Sequence, residues 1–141
     1  MKVVSWNCHG AFRKKYHLLD YLSADILVIQ ECEDPERSTS QYREWAGEHL
    51  WVGQSKKKGI GIFSRSGVKL EALDWDDEDL QLFLPCKVEG KIALVGVWTK
   101  KASSPTFGYI GQFWKYLQKH KEPIGSHPTV ICGDFNSNSI W

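Results

Sequence analysis

The sequence lacks most of the features that announce a compartment or a partner. It has no CxxC pair: Cys8, Cys32, Cys86 and Cys132 stand far apart, which excludes the paired spacing of a structural zinc site. No apolar run approaches the roughly 20 residues that a membrane-spanning helix needs, and no basic stretch followed by an apolar one opens the chain. Net charge is almost absent, with 18 Lys and Arg against 17 Asp and Glu, formally +1, so no global basic field points to nucleic acid. Internal repeats, linkers and low-complexity tracts are missing too. These absences lead us to expect a reduced, cytoplasmic setting, with no membrane and no stable protein partner.

What the chain does have is apolar bulk. Its 141 residues fit one domain, and 42% of them are hydrophobic, enough for a packed core. Seven tryptophans contribute to an aromatic share of 13%, and each large ring brings much buried area.

The hydrophobic pattern alternates strands with helices. Lys2–Cys8 and Asp25–Cys32 are short β-branched runs that read as buried strands. Between them Phe12, Tyr16, Leu19 and Leu22 recur at helical spacing, which predicts an amphipathic helix over about Ala11–Ser23. Strand, helix, strand at this length is a βαβ unit. A turn over Pro35–Ser40, a short helix near Gln41–His49, and strands at Leu50–Gln54, Gly59–Ser64 and Val68–Leu73 follow. Asp74–Asp79 reads as an acidic loop, and Leu82–Val88 with Lys91–Thr99 as a hairpin turning at Glu89-Gly90. Ser103–Thr106 signals a helix start. Phe107, Ile110, Trp114 and Leu117 then mark that helix's buried face, and Pro123–Pro128 breaks it. Thr129–Cys132 is a last buried strand, leading into Gly133-Asp134-Phe135-Asn136. The pattern is mixed α/β in one unit.

Three of these strands end in polar residues of one chemical kind: Asn7, Glu31, and Asp134 with Asn136. Parallel strands joined by crossovers bring their C-terminal ends to one rim, where open α/β sheets bind ligands. Singly, each residue reads as an ordinary turn or strand end. Together, two carboxylates and two amides suit a hard, oxygen-loving cation such as Mg²⁺, which needs only one or two carboxylates.

The ordered runs Ser5-Trp6-Asn7-Cys8-His9-Gly10, Ile29-Gln30-Glu31, Gly59-Ile60-Gly61-Ile62-Phe63-Ser64 and Gly133-Asp134-Phe135-Asn136 resemble the motifs of the endonuclease/exonuclease/phosphatase superfamily. The resemblance implies an α/β (α+β) fold: a β-sandwich of two mixed sheets flanked by helices. It implies a phosphoesterase using Mg²⁺, or Mn²⁺ in its place, with Glu31 as principal metal ligand and Asn7 beside the metal and the scissile phosphate. Asp134 would orient or deprotonate the attacking water, and Asn136 would hold the phosphoryl oxygens. The expected substrate is a phosphate ester, with DNA or RNA favoured. Alternatives are an inactive fragment and a module that grips phosphate without hydrolysis.

Two departures from the family pattern stand out. Lys100 follows Thr99 where the family often has a His, so it is either a cationic phosphate contact or merely solvated. Family members are also about twice as long, and none of His9, His17, His49, His120 and His127 follows a Ser-Asp pair as their late essential His does. The expectation is therefore the N-terminal part of one domain over residues 1–141, an incomplete sandwich with exposed apolar faces. His9 reads as a loop residue. Lys56-Lys57-Lys58 reads as a solvated turn, and the adjacent Cys8 and His9 as no catalytic pair.

Overall fold

The computed structural model describes residues 1–75, 80, 82–101 and 108–137. Two four-stranded mixed sheets pack face to face. The first has the order β1 (Val3–Asn7), β2 (Ile26–Cys32), β4 (Lys58–Ser64), β3 (His49–Ser55). The second runs β5 (Leu70–Ala72), β6 (Phe83–Val88), β7 (Ile92–Trp98), β8 (Thr129–Asp134). β1 and β2 are parallel, as are β7 and β8, and the remaining pairs are antiparallel.

The alternation of β-branched and aliphatic residues explains the layering. Ile26, Val28, Ile60 and Ile62 of the first sheet meet Cys86, Val88 and Leu94 of the second in the central core. Each fully buried aliphatic side chain there contributes about 1.5–3 kcal/mol. Gly96 lets the sheets close up, since a Cβ there would lie 3.1 Å from both Ile60 and Val28. The outer face of the first sheet carries a second cluster, in which Phe12 packs edge-on against Tyr42 and Trp45 of α1 (Ser40–Ala46) and tilts over Phe63. The outer face of the second sheet is covered by α2 (Ile110–Lys119), whose Tyr116 stacks on Phe83 at 4.2 Å. Each sheet thus carries a packed cluster on its outer face as well as on the inner one, while Ile110, Trp114 and Val130 stay exposed on α2 and β8.

Several local expectations change. Residues 11–23 form two 3₁₀ segments, Phe12–Lys14 and Tyr16–Leu22, instead of one α-helix. Left-handed Ala11 (φ 52°) and Ser23 (φ 48°) bound the stretch. Tyr16, Leu19 and Leu22 are spaced by three, which matches three residues per 3₁₀ turn. The inward face of α2 carries half-buried Phe113 and buried Tyr116, continued by buried His120 just past its end. Ile110 and Trp114 are 45% and 59% exposed, so the predicted stripe is turned about a quarter of the way round the helix from the buried one. Both stripes satisfy helical spacing, and only the register of Phe83 and Trp75 beneath the helix selects one. The helix ends at Lys119, before Pro123, which sits in the first turn of a short α3 (Lys121–Ser126) where its missing N–H costs nothing. β8 is half-exposed, because it is an edge strand with β7 as its one ladder partner among the described residues. The helix-start signal at Ser103–Thr106, Phe107, and the acidic loop from Asp76 to Asp79 lie outside the described residues. No helix among the described residues is long and apolar enough to cross a membrane.

Candidate active site

Asn7 closes β1 and is paired in register with Gln30 of β2. The ladder extends one step beyond it, Cys8 N–H donating to the Gln30 carbonyl at 3.1 Å. The Lys15 ammonium then ties down the following loop by donating to the Cys8 and Gly10 carbonyls at 2.7 and 2.9 Å.

Glu31 owes its position to a bulge. β2 pairs Gln30 with Ile60 and then Cys32 with Gly59, which leaves Glu31 as the extra residue. Its φ of 62° lies in the left-handed region, which costs a non-glycine residue about 1–2 kcal/mol. The bulge turns the carboxylate out to the rim, while Gln30 and Cys32 stay buried.

Asp134 ends β8. Its carbonyl accepts from Thr99 N–H at 3.0 Å, so β7 and β8 remain coupled to their last residues. The approach is tight enough to require Gly133, where a Cβ would stand 1.9 Å from the Val97 carbonyl oxygen. Asn136 N–H folds back to Asp134 Oδ1 at 2.9 Å, and its left-handed φ of 45° is one that asparagine tolerates. The Asn136 side chain donates to the Thr99 carbonyl at 2.8 Å. An amide NH₂ has two hydrogens, so among the described residues one donor is left over.

These residues converge. Asn7 Nδ2 donates to Asp134 Oδ2 at 2.7 Å and to Glu31 Oε1 at 3.3 Å. Its oxygen accepts from His9 N–H at 3.0 Å, and that donor-only partner fixes which way the amide faces. The rim is thus shared by the two sheets of the sandwich, where the sequence reading had placed it along one sheet. Parallel β1 and β2 supply Asn7 and Glu31, and β8, packed across from them, supplies Asp134 and Asn136.

Sequence reasoning missed one member. Lys58, taken as part of a solvated turn, places its ammonium 2.7 Å from Glu31 Oε2. Partial burial pulls the Glu31 pKa up. Hydrogen bonds from Lys58 and Asn7, with the charges of Lys58 and His9, outweigh it and hold the carboxyl below its ordinary value. The signal available was the placement of Lys58 at the start of β4, antiparallel to β2, which puts it across from the end of Glu31's strand.

Other candidates separate from the chemistry. Lys100 lies over the Trp98 ring at 4.2 Å, a cation–π contact. His9 is exposed and acts through its backbone N–H. Burial pushes the Cys8 and Cys132 thiols to about 11 and Cys86 to about 12. Cys32 is raised for the same reason, which leaves no thiolate nucleophile among the four.

Among the described residues no group of three or more His, Cys, Asp and Glu side chains gathers. The rim offers two carboxylates and two amides, a hard-oxygen set that excludes zinc-like N/S ligation and fits a cation that retains water. The Lys58 ammonium, seated on Glu31, shows that the spot already attracts positive charge.

Comparison with known proteins speaks to the family and the fold. The model of the Endonuclease/Exonuclease/phosphatase family matches residues 4–141. No curated protein sequence matches the chain. Among solved structures, a 3'-5' exonuclease (NExo) from Neisseria meningitidis superposes with a TM-score of 0.68 at 24% identity, over 96% of this chain and 58% of that one. A humanized D. rerio TDP2 gives 0.68 at 18% identity, over 97% and 62%. A 3' phosphatase NExo from Neisseria bound to product DNA hairpin gives 0.66 at 21%, over 94% and 56%. At these identities the likeness is one of fold. The chain spans less than two thirds of the length of each of these three.

Proposed function

The chain belongs to the endonuclease/exonuclease/phosphatase family, and from that premise we propose that its rim serves divalent-cation-dependent hydrolysis of a phosphodiester, with nucleic acid as the substrate class. The observation that carries the reading is the meeting of the Glu31 and Asp134 carboxylates on one amide, that of Asn7. The substrate class draws support from two of the structural neighbours, described as a 3'-5' exonuclease and as a 3' phosphatase bound to a DNA hairpin.

In this reading Glu31 is the principal ligand of a Mg²⁺ ion, or Mn²⁺ in its place, and Asn7 sits beside it. The Asn7 oxygen accepts from His9 N–H and keeps a second lone pair, which it would offer to the cation. When bound, such an ion polarises a phosphoryl oxygen and stabilises charge on the leaving oxygen. Asp134 orients the attacking water and takes up its proton. Its plane is set for this by donors on both oxygens, Asn7 on one and the Asn136 backbone on the other. The spare amide hydrogen of Asn136 donates to a phosphoryl oxygen as negative charge builds there, the kind of contact whose loss costs about 10²–10³ in rate.

The test is Mg²⁺-dependent cleavage of a labelled oligonucleotide and of a generic aryl phosphodiester. Glu31→Gln and Asp134→Asn should each lower turnover by about 10²–10³-fold with folding intact. Untouched turnover in both variants would refute the site. Salt-dependent binding of the oligonucleotide without any turnover would instead identify a phosphate-gripping module.

A further inference from the structure

Beside the rim lies a groove of about 500 Å³, and its walls carry Arg13, Arg37, Lys56, Lys57 and Lys58 against a single carboxylate, Glu33. The whole chain has a formal charge of only +1, and with Asp34 and Glu31 paired from beside the groove the five cations still leave an excess of about two positive charges here. The cations arrive from three separate segments: the loop after β1, the turn after β2, and the β3–β4 hairpin. A solvated hairpin turn would account for the lysines alone and not for the arginines opposite them.

Three of the five cations are held by carboxylates in the absence of a ligand. Arg13 pairs with buried Glu33, Arg37 Nε with Asp34 Oδ2 at 2.6 Å, and Lys58 with Glu31. No ion pair among the described residues joins Lys56 or Lys57 to a carboxylate. Arg37 uses its Nε in its pair, and its guanidinium lies 5.9 Å from the Trp51 ring centroid. Lys58 is the one cation that belongs to both places, lining the groove and contacting Glu31 of the rim.

We propose that this groove binds the phosphates flanking the reacting one on a nucleic-acid strand, and that Lys58 couples the groove to the divalent-cation site. The inference rests on the functional reading above. A divalent cation on Glu31 competes with the Lys58 ammonium for the same carboxylate and repels it as a like charge. The side chain is 52% exposed and free to turn, and the groove is the anion-attracting space open to it. By linkage, phosphates that hold Lys58 in the groove vacate Glu31 and tighten cation binding by the same factor.

The test reads binding, not turnover. A fluorescein-labelled phosphorothioate oligonucleotide of about 12 nucleotides is titrated by anisotropy at about 50 mM salt, in chelator and in Mg²⁺. Calorimetry measures Mg²⁺ binding separately. Free Mg²⁺ ordinarily weakens protein–strand binding by competing for phosphates, so tightening is the discriminating result. Expected for the unmodified protein is a roughly tenfold tightening on Mg²⁺ addition. Lys58→Gln should bind Mg²⁺ more tightly, having lost the competitor, yet show no tightening of the strand. The double variant Lys56→Gln/Lys57→Gln should weaken the strand in both conditions and keep the coupling. Inositol hexakisphosphate forms the second arm: if it shows the coupling and the strand does not, the groove takes a compact polyphosphate and the strand assignment is overturned. Mg²⁺ binding that depends on Glu31, with strand affinity indifferent to Mg²⁺, overturns the coupling while leaving the active-site reading intact. Mg²⁺ binding unchanged in Glu31→Gln removes the cation site, and the coupling with it.

Discussion

The two carboxylates of the rim are delivered by opposite means. Glu31 sits at the end of β2, a central strand paired on both sides by β1 and β4 and buried over Ile26–Gln30. The surrounding packing over-determines its left-handed backbone, so the strain is held by the core. Asp134 sits at the end of β8, a half-exposed edge strand. What fixes it is local: Gly133 pressed against Val97, the Thr99 ladder bond, and the Asn136 turn. One carboxylate is placed by burial and the other by short-range geometry, so the two ends should fail differently.

The largest effect should come from the core beneath β2. Phe12 is fully buried among Tyr42, Trp45 and Phe63, so Phe12→Ala should cost about 3–5 kcal/mol in urea unfolding. Because β2 keeps both of its neighbours, turnover per folded molecule should change far less than stability does. Gly133→Ala inverts that ratio. The added methyl overlaps the Val97 carbonyl and forces β8 off β7, at about 1–3 kcal/mol. Turnover should fall further than for Phe12→Ala, because the displaced residue is the next one along, Asp134. A larger loss of turnover for Phe12→Ala than for Gly133→Ala would dissolve the distinction between the two ends.

A finer comparison isolates the strain at the bulge. Glu31→Ala and Glu31→Gly both remove the carboxylate, but only glycine adopts φ near 62° without a steric cost. The glycine variant should be the more stable of the two by about 1 kcal/mol, read as a difference in urea midpoint at equal slope. Equal stabilities would show that the bulge relaxes in the variants and that the strain is not held by β2.

How much of this was legible beforehand follows the same division. β2 could be read from its unbroken aliphatic run, Ile26–Ile29, because burial on both faces leaves a pattern that needs no partner to interpret. Asn7, Glu31 and Asp134 were legible as strand ends. Their convergence across two sheets was not, since sheet order depends on contacts remote in sequence. The Glu31 bulge left no trace, because no glycine marks it. In α2 the exposed Trp114 and the buried Tyr116 offered two equally periodic stripes, and hydrophobicity favoured the wrong one. Lys58 was passed over because a lysine in a basic turn is usually solvated, and only the pairing of β4 with β2 brings it to Glu31.

The smallest expected effect concerns pH and again separates the two ends. The Glu31 carboxyl is held below its ordinary value of 4.5, burial being outweighed by Lys58 and Asn7. Between that depressed value and 4.5 the unfolded chain binds the proton more readily than the folded one, so stability rises with pH across the interval. The contribution is complete above 4.5 and is lost as pH falls through the folded value. Lys58→Gln removes the chief depressing partner, so the variant should be the less stable above pH 4.5, by no more than about 1 kcal/mol given a half-exposed lysine. In stronger acid the two curves should meet. Asp25, held low mainly by the Lys2 backbone and then by Ser66, titrates alike in both proteins and cancels from the difference. Two curves offset by a constant amount down to the acid limit would mean that Lys58 acts through packing of its stem, and that its pairing with Glu31 adds nothing to the stability of the rim.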